Sequence, residues 1–262
     1  MRRFSAEYLE TTRRGMWADS RAALADLELE GTGSALDVGA GTGELTRVLR
    51  DDSPGGVVAV DADRSLLKRV DPPRVLGDAG RLPFADDAVE LAVCQALLVN
   101  LSEPAAALAE FTRVASDRVG AIEPDNGAVT VESTVSEESE LASEARRRYL
   151  RGISSDPTLG GARELFERAG LTGVTVRRYD HRLTVEPPYS ETALESARRK
   201  ATGAGLDGQR ATMLAGDTTP ETFDRLRERW RAMGRAVIEQ MRDEEYRYRE
   251  TIPFYVTVGR VA

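Results

Sequence analysis

Short apolar runs alternate with helix-like segments along the first half of the chain. Strand-like runs occupy 35–38, 57–61 and 89–95, and after the first of them leucines and valines recur at steps of three and four residues. Continuous apolar runs are typical of strands buried on both faces of a parallel sheet. Apolar residues at steps of three and four are typical of an amphipathic helix. The alternation predicts an α/β domain.

The same pattern continues to the end of the chain, with one long interruption. Seven strands are predicted, at 35–38, 57–61, 75–79, 89–95, 118–123, 174–183 and 254–261. The about 65 residues from 187 to 251 lie between the last two strands, and in them apolar residues recur at helical spacing and form one stripe. The stripe consists of Phe223, Leu226, Trp230, Met233, Val237 and Met241. It could recruit another chain, but the sequence favours packing within the protein.

Two further segments have a less regular pattern. Residues 4–30 are predicted to form two short helices, with Gly15 between them. Residues 133–156 are polar and carry both acids and arginines, which is typical of a helix with solvated faces.

A glycine-rich turn comes directly after the first predicted strand. Residues 39–43 read Gly-Ala-Gly-Thr-Gly, which predicts a buried strand, a tight turn and then a helix. Glycines let the backbone adopt positive φ and leave N–H groups accessible at the positive end of the helix, so such a turn can hold a nucleotide-like ligand. Glu44 stands where the dinucleotide fingerprint requires its third glycine, and no P-loop lysine comes after it.

Acidic residues end the second and third predicted strands. Asp61 lies 22 residues after Gly39, close to the spacing at which a carboxylate accepts hydrogen bonds from ribose hydroxyls. Asp78 and Ala79 end the third strand in the same way. Because parallel strands end at one edge of the sheet, these residues are expected to lie near the glycine turn.

The turn, the acids and the segment 81–90 (RLPFADDAVE), in this order, resemble the class I S-adenosylmethionine-dependent methyltransferases. The resemblance covers roughly 5–130, 160–183 and the last strand. It implies a doubly wound, Rossmann-like sheet of seven strands with the last antiparallel, a cap formed by 1–30, and a helical insertion between strands six and seven.

The resemblance also implies a cofactor, S-adenosylmethionine, and a set of residues that bind it. Asp61 would bind the ribose, Asp78 and Ala79 the adenine, and Arg14 the methionyl carboxylate, with Trp17 near the sulfonium. Burial statistics favour the alternative, in which Arg14 is a solvated arginine and Trp17 a packed indole. The complete predicted set is Asp37, Gly39, Gly41, Gly43, Asp61, Ala62, Asp78, Ala79, Gln95 and Arg14.

Candidates for a general base are few. His181 is the only histidine, and an imidazole has the most suitable unperturbed pKa near neutral pH. Glu123 and Asp125 lie at the end of the fifth strand and could meet a substrate or form a capped turn. Cys94, inside a strand, is interpreted as a small buried hydrophobe. No histidine or cysteine cluster has the spacing of metal ligands, so no metal is expected.

Composition narrows the possible partners. The formal net charge is −8, so a nucleic-acid partner would need a local basic patch, and a small-molecule substrate is favoured. No apolar run approaches the roughly 20 residues of a membrane helix, the N-terminus lacks the apolar core of a secretion signal, and the single cysteine permits no internal disulfide. A cytoplasmic protein is expected, and its oligomeric state is left open.

These observations predict four segments and one principal function. The segments are a cap at 1–30, a cofactor-binding core at 31–186, a helical insertion at 187–250 that forms a substrate lid, and the last core strand at 251–262. The expected function is methyl transfer to a small molecule by in-line displacement. The alternatives are an RNA or protein methyltransferase that docks through the arginine-rich side of the insertion, and a non-catalytic cofactor-binding module.

Overall fold

The computed structural model describes residues 16–17, 20–156, 159 and 161–262, which divide into two compact units. The sheet unit contains the described residues within 16–125, 159–179 and 254–262. The helical unit contains those within 126–156 and 180–253. Both long C-terminal strands contribute residues to each unit, since the unit boundaries fall within them.

Five parallel strands form the centre of the sheet unit, in the order β3-β2-β1-β4-β5. They are β1 Ser34–Val38, β2 Gly56–Asp61, β3 Arg74–Leu76, β4 Val89–Gln95 and β5 Ala115–Pro124. β1 and β4 are almost entirely buried, as their continuous apolar runs predicted. The order reverses direction after β1, so the carboxyl ends of β1, β2 and β4 converge at one edge.

The remaining strands complete the sheet and confirm the predicted fold class. β8 (Tyr248–Arg260) pairs antiparallel with β5, from Phe254 opposite Pro124 to Arg260 opposite Arg118, and β7 (Thr172–Val185) pairs with β8. A short strand that the sequence did not predict, β6 (Thr130–Ser133), pairs antiparallel with the start of β8 in the helical unit.

Helices lie between these strands as the doubly wound pattern requires. In the sheet unit they are α1 Glu44–Asp52, α2 Arg64–Leu67, α3 Pro104–Val114 and α5 Arg163–Arg168. In the helical unit they are α4 Glu138–Arg151, α6 Glu191–Thr202, α7 Ala204–Asp207, α8 Arg210–Ala215 and α9 Pro220–Arg242. Short 3₁₀ helices span Arg21–Leu27, Leu29–Gly31 and Leu98–Asn100. Of the segment 4–30, predicted as two helices, residues up to 15, 18 and 19 lie outside the described residues, and 21–27 is 3₁₀.

The sheet unit has its core between β-strands and the helices α3 and α5. Phe111 of α3 and Phe166 of α5 are fully buried against apolar residues of β1 and β4. Burial of side chains of this size contributes roughly 1.5–3 kcal/mol each.

The apolar stripe of α9 lies in the core of the helical unit. Five of its residues are buried and Trp230 packs against them. The prediction that the stripe packs within the protein is therefore confirmed. The polar segment 133–156, predicted to be solvated, is different: α4 buries Leu141 and Ala145 in the same core. In its sequence the few apolar residues stand between many charged ones, so the amphipathic pattern is weak.

A buried ion pair links three segments of the helical unit. Lys200 of α6 donates to Glu138 of α4 at 2.5 Å, and the Tyr246 hydroxyl donates to the same carboxylate at 3.0 Å. The Lys200 ammonium also lies over the ring of Tyr248, 4.4 Å from its centroid. Burial raises the pKa of the Tyr246 hydroxyl well above its ordinary value. Because Glu138 is buried, removal of Lys200 would leave its carboxylate in the interior without a counter-charge.

Candidate functional site

A cleft of about 660 Å³ runs along the carboxyl edge of the sheet unit. Six of the predicted cofactor-binding residues line it, namely Gly39, Gly41, Asp61, Ala62, Asp78 and Ala79. They come from the ends of β1 and β2 and from the turn after β3. Neighbours of these residues and the segment 96–107, which leads from β4 into α3, form the rest of the wall.

Three glycines give the turn after β1 its shape. Gly39, Gly41 and Gly43 have φ of +75°, +56° and +82°. Residues with a side chain rarely adopt this left-handed conformation, because their Cβ crowds the backbone. At Gly39 a Cβ would also lie 2.9 Å from the Leu97 side chain. The glycine pattern in the sequence therefore reflects both backbone conformation and close packing.

The Asp61 carboxylate joins the tip of β2 to this turn. Its Oδ2 accepts a hydrogen bond from the Gly41 N–H at 2.8 Å, and its Oδ1 accepts from the Asp63 N–H at 2.7 Å. Each carboxylate oxygen has a further lone pair, so the group can still accept hydrogen bonds from a ligand in the cleft. Asp61 is thus fixed by the backbone and lies in the cleft wall.

Asp78 and Ala79 form a second part of the wall, in which the Asp78 carboxylate is polar. Asp78 Oδ1 accepts from the Gly80 N–H at 2.8 Å, and the Arg81 N–H donates to the Asp78 carbonyl oxygen at 3.0 Å. This tight turn holds the Asp78 side chain, which is exposed, beside the buried Ala79.

Four predicted cofactor residues lie elsewhere or outside the described chain. Asp37 is fully buried beneath the turn, where its Oδ2 accepts from the Thr46 hydroxyl at 2.5 Å and so joins β1 to α1. Gly43 is the N-cap of α1, and a Cβ at this position would lie 3.1 Å from the Val70 side chain. Gln95 is buried at the end of β4, and Arg14 lies outside the described residues.

The turn after β4 is a further part of the wall, and the sequence did not predict its residues 100–103. Ala96, Leu97, Asn100 and Leu101 line the cleft, together with Ser102 and Glu103. The sequence there resembles neither a glycine motif nor an acid at a strand tip, and 102–104 shows only the ordinary start of a helix. The signal available was its position, directly after a central strand of a parallel sheet.

Glu123, a predicted general-base candidate, is only 1% exposed. Its Oε1 accepts from the Leu97 and Leu98 N–H groups at 3.1 and 2.9 Å, and its Oε2 accepts from the Val99 N–H at 3.3 Å. Burial raises the pKa of Glu123 to about 7, although the backbone donors oppose the change. Burial also raises the pKa of the nearby Cys94 thiol, in keeping with its interpretation as an inert hydrophobe.

Two buried polar atoms near the end of β4 have no hydrogen-bond partner among the described residues. They are Oε1 of Gln95 and Nε1 of Trp17, whose residues are 2% and 3% exposed. The Gln95 amide nitrogen contacts the Met16 sulfur, next to Trp17 in the chain. The Trp17 ring lies 5.5 Å from that of Tyr179, which stacks at 5.5 Å on Phe254.

The other two base candidates lie in different units. His181 is buried in the part of β7 that belongs to the helical unit. Asp125 comes directly after β5 in the sheet unit and is half-buried. Their catalytic roles stay predictions.

Two kinds of feature are absent from the part of the chain that the structure describes. No group of three or more histidine, cysteine, aspartate or glutamate side chains in these residues is arranged to hold a metal ion. No helix within the same residues has the length and apolar composition needed to cross a bilayer.

Comparison with known proteins gives a family match within the first half of the chain. Residues 36–118 match the model of the family described as "Methyltransferase domain". The ubiquinone/menaquinone biosynthesis C-methyltransferase UbiE of Burkholderia mallei is 36% identical over 94 residues, which are 32% of this chain and 39% of that enzyme. The chain therefore spans about two fifths of the length of the curated relatives it matches.

Solved structures share the fold over nearly the whole chain. A Bacillus halodurans protein described as a methyltransferase has a TM-score of 0.54 at 14% identity, covering 93% of this chain and 98% of its own. The YcgJ protein of Bacillus subtilis has a TM-score of 0.52 at 14% identity, with 92% and 99% covered. A chain of the Haloferax volcanii complex between the Trm112 methyltransferase activator and a methyltransferase has a TM-score of 0.50 at 19% identity. The match covers 98% of this chain and 93% of that one. Such low identity establishes the fold alone.

Proposed function

Residues 36–118 of this chain belong to a class I S-adenosylmethionine-dependent methyltransferase domain, and from that premise we propose that the protein methylates a small molecule. The observation that carries the proposal is the Asp61 carboxylate, held by the Gly41 and Asp63 N–H groups in the wall of a cleft lined by the other family motifs. When bound, S-adenosylmethionine supplies a methyl group already activated by its positive sulfur.

The cleft residues suit the parts of this cofactor. Asp61 can accept from the vicinal ribose hydroxyls, and Asp78 can accept from the adenine amine. Gly39 and Gly41 leave space and backbone close to the amino-acid end of the cofactor. Because the cofactor carries no phosphate, the turn needs no lysine or arginine. The chain's contribution to methyl transfer is to align the acceptor with the methyl group.

The polar atoms of Gln95 and Trp17 that find no partner among the described residues support a small polar acceptor. A buried polar atom without a partner costs roughly 1–3 kcal/mol, a cost that a bound ligand would remove. Gln95 offers an acceptor atom and Trp17 a donor, beside the stacked rings of Tyr179 and Phe254. A hydroxyl or amide group of an acceptor molecule could pair with both atoms, since it both donates and accepts.

Calorimetric titration tests the cofactor. The purified protein is titrated with S-adenosylmethionine, S-adenosylhomocysteine and NAD, alongside Asp61→Ala and a control, Asp71→Ala, which removes an exposed acid outside the cleft. We expect both sulfur ligands to bind the native chain and the control, NAD to fail, and Asp61→Ala to bind at least tenfold more weakly. Preference for NAD, or no binding of either sulfur ligand, would contradict the proposal.

The alternatives predict different results in the same preparation. An RNA methyltransferase would bind tRNA with strong salt dependence, and the net charge of −8 opposes this. A non-catalytic module would bind S-adenosylmethionine but release no S-adenosylhomocysteine with any acceptor.

The helical insertion at 187–250 as a substrate lid is part of our proposal, and its deletion should spare cofactor binding while acceptor turnover falls.

A further inference from the structure

The turn after β4 has a backbone that needs support. Ala96 has φ of +49°, in the left-handed region that residues other than glycine rarely occupy. The next three residues turn their N–H groups inward, and Leu97 and Leu98 are buried. Backbone N–H groups in the interior destabilise the fold unless they find an acceptor. In this turn the acceptor comes from a different strand.

One side chain receives all three N–H groups. The Glu123 carboxylate, on β5, accepts from Leu97, Leu98 and Val99 at 3.1, 2.9 and 3.3 Å. A carboxylate is well suited to this, since its two oxygens offer about four lone pairs and no donor. The Asn100 amide adds one bond of its own, to the Ala96 carbonyl oxygen at 2.7 Å.

The supported turn is also the part of the cleft wall that packs on the glycine turn. Leu97 lines the cleft, and its side chain lies against Gly39, where a Cβ would come within 2.9 Å of it. A shift of Leu97 would therefore alter the space at Gly39. Since the proposed cofactor lies against both residues, we propose that Glu123 is a positioning residue: it fixes the turn at 97–99 and thereby shapes the cofactor cleft. This inference rests on the proposed function for its link to S-adenosylmethionine.

Two ionisable groups act around Glu123 in the described part of the chain. Cys94 of β4 lies 3.6 Å from Oε1, and Asp37 of β1 acts electrostatically on that thiol. Burial raises the pKa of Glu123 to about 7. A protonated carboxyl accepts less well at its hydroxyl oxygen, so the support of Val99 should weaken below that pH. A pH dependence of cofactor binding that involves Glu123 is thus expected.

Two variants of Glu123 test the positioning role. Glu123→Ala removes every acceptor, whereas Glu123→Gln keeps one carbonyl oxygen for Leu97 and Leu98 and replaces the other oxygen by a donor. The matched control is Glu90→Gln, because Glu90 likewise accepts a loop N–H, that of Gly33 at 2.7 Å, but at the opposite end of the strands. Two quantities are measured: amide hydrogen exchange at 97–99 in the free protein, and S-adenosylhomocysteine affinity between pH 6 and 8.

We expect exchange at 97–99 to rise at least tenfold in Glu123→Ala and less in Glu123→Gln. We expect the S-adenosylhomocysteine affinity to fall at least tenfold in Glu123→Ala and severalfold in Glu123→Gln. The pH dependence of binding seen in the native chain should vanish in Glu123→Gln. The control should match the native chain in both measurements. If Glu123→Ala does not fold, Glu123→Gln decides.

Two results would overturn the inference. Exchange and affinity within twofold of native in both folded variants would exclude a positioning role. Faster exchange at 97–99 together with an affinity within twofold of native would show that Glu123 orders the turn without shaping the cofactor cleft. If the native chain itself binds no S-adenosylhomocysteine, the proposed function fails, and the exchange measurement still decides whether Glu123 orders the turn.

Discussion

At the scale of the residue, Gly39 shows two separate reasons for a glycine. Its φ of +75° excludes most side chains, and its packing on Leu97 leaves no space for a Cβ. Gly170, after α5, has a similar φ of +84°, but a Cβ there would meet none of the described atoms within 4 Å. The pair therefore separates backbone strain from steric exclusion.

Alanine at both positions should give different losses of stability. Gly170→Ala is expected to cost about 1–2 kcal/mol from backbone strain. Gly39→Ala should cost roughly 1–3 kcal/mol more, because the new methyl group displaces Leu97. Urea unfolding of each variant measures the difference, and S-adenosylhomocysteine titration should show weakened binding for Gly39→Ala only. Equal stability losses would contradict the steric argument.

At the scale of the element, α6 and α9 pack at a glycine. A Cβ at Gly234, inside α9, would lie 2.3 Å from the Ala201 backbone nitrogen in α6. Such a contact with backbone is not relieved by a side-chain rotation, so one helix would have to move. The close approach lets the stripe of α9 bury Met233 and Val237 in the core of the helical unit.

Gly234→Ala should therefore reverse the usual effect of this substitution. Alanine in place of a helix glycine ordinarily stabilises by roughly 0.5–1 kcal/mol. We expect a loss of about 1–3 kcal/mol instead, because the helices are forced apart. Gly205→Ala, in α7 with open space around its Cβ, is the control and should be neutral or stabilising. Thermal unfolding of both variants measures this, and a rise in melting temperature for Gly234→Ala would refute it.

At the scale of the whole molecule, the buried Glu123 makes stability depend on pH. Its pKa is about 7 in the folded chain against an ordinary value of 4.5, so between these values the folded state binds more protons than the unfolded state. The free energy of unfolding therefore falls as pH rises from about 4.5 through 7.

Comparison with Glu123→Gln isolates this contribution, since the amide does not titrate. From pH 5 to pH 8 the native chain should lose stability relative to Glu123→Gln, by a total on the order of 3 kcal/mol. Urea unfolding at both pH values measures the difference. A constant difference between the two proteins would mean that Glu123 does not titrate in this range.

Much of the fold was set by local pattern. β4 was predicted with its observed bounds, and the glycine turn, Asp61 and Asp78 were predicted to meet at one sheet edge, where the structure has them. These features depend on the strand period, on glycine's freedom and on the shared direction of parallel strands. All three are readable over short stretches of chain.

Other features depended on contacts between distant residues. Residues 126–156 join the helical unit although the predicted insertion begins only at 187, since Leu141 and Ala145 pack against residues far along the chain. The charges of α4 gave no sign of this. Similarly, Glu123 was predicted as a possible base because it ends a strand, and its carboxylate in fact receives N–H groups 24 to 26 residues away.

The sequence alone thus determined most strands and helices, the cofactor class and the six motif residues of the cleft wall. Each of these depends on short motifs whose physical meaning does not change with their surroundings. Only the tertiary structure decided what Glu123 binds, which segments share a core, and that Gln95 and Trp17 keep polar atoms with no partner in the described chain. Those outcomes depend on which distant groups exclude water from one another, and a linear pattern does not specify that.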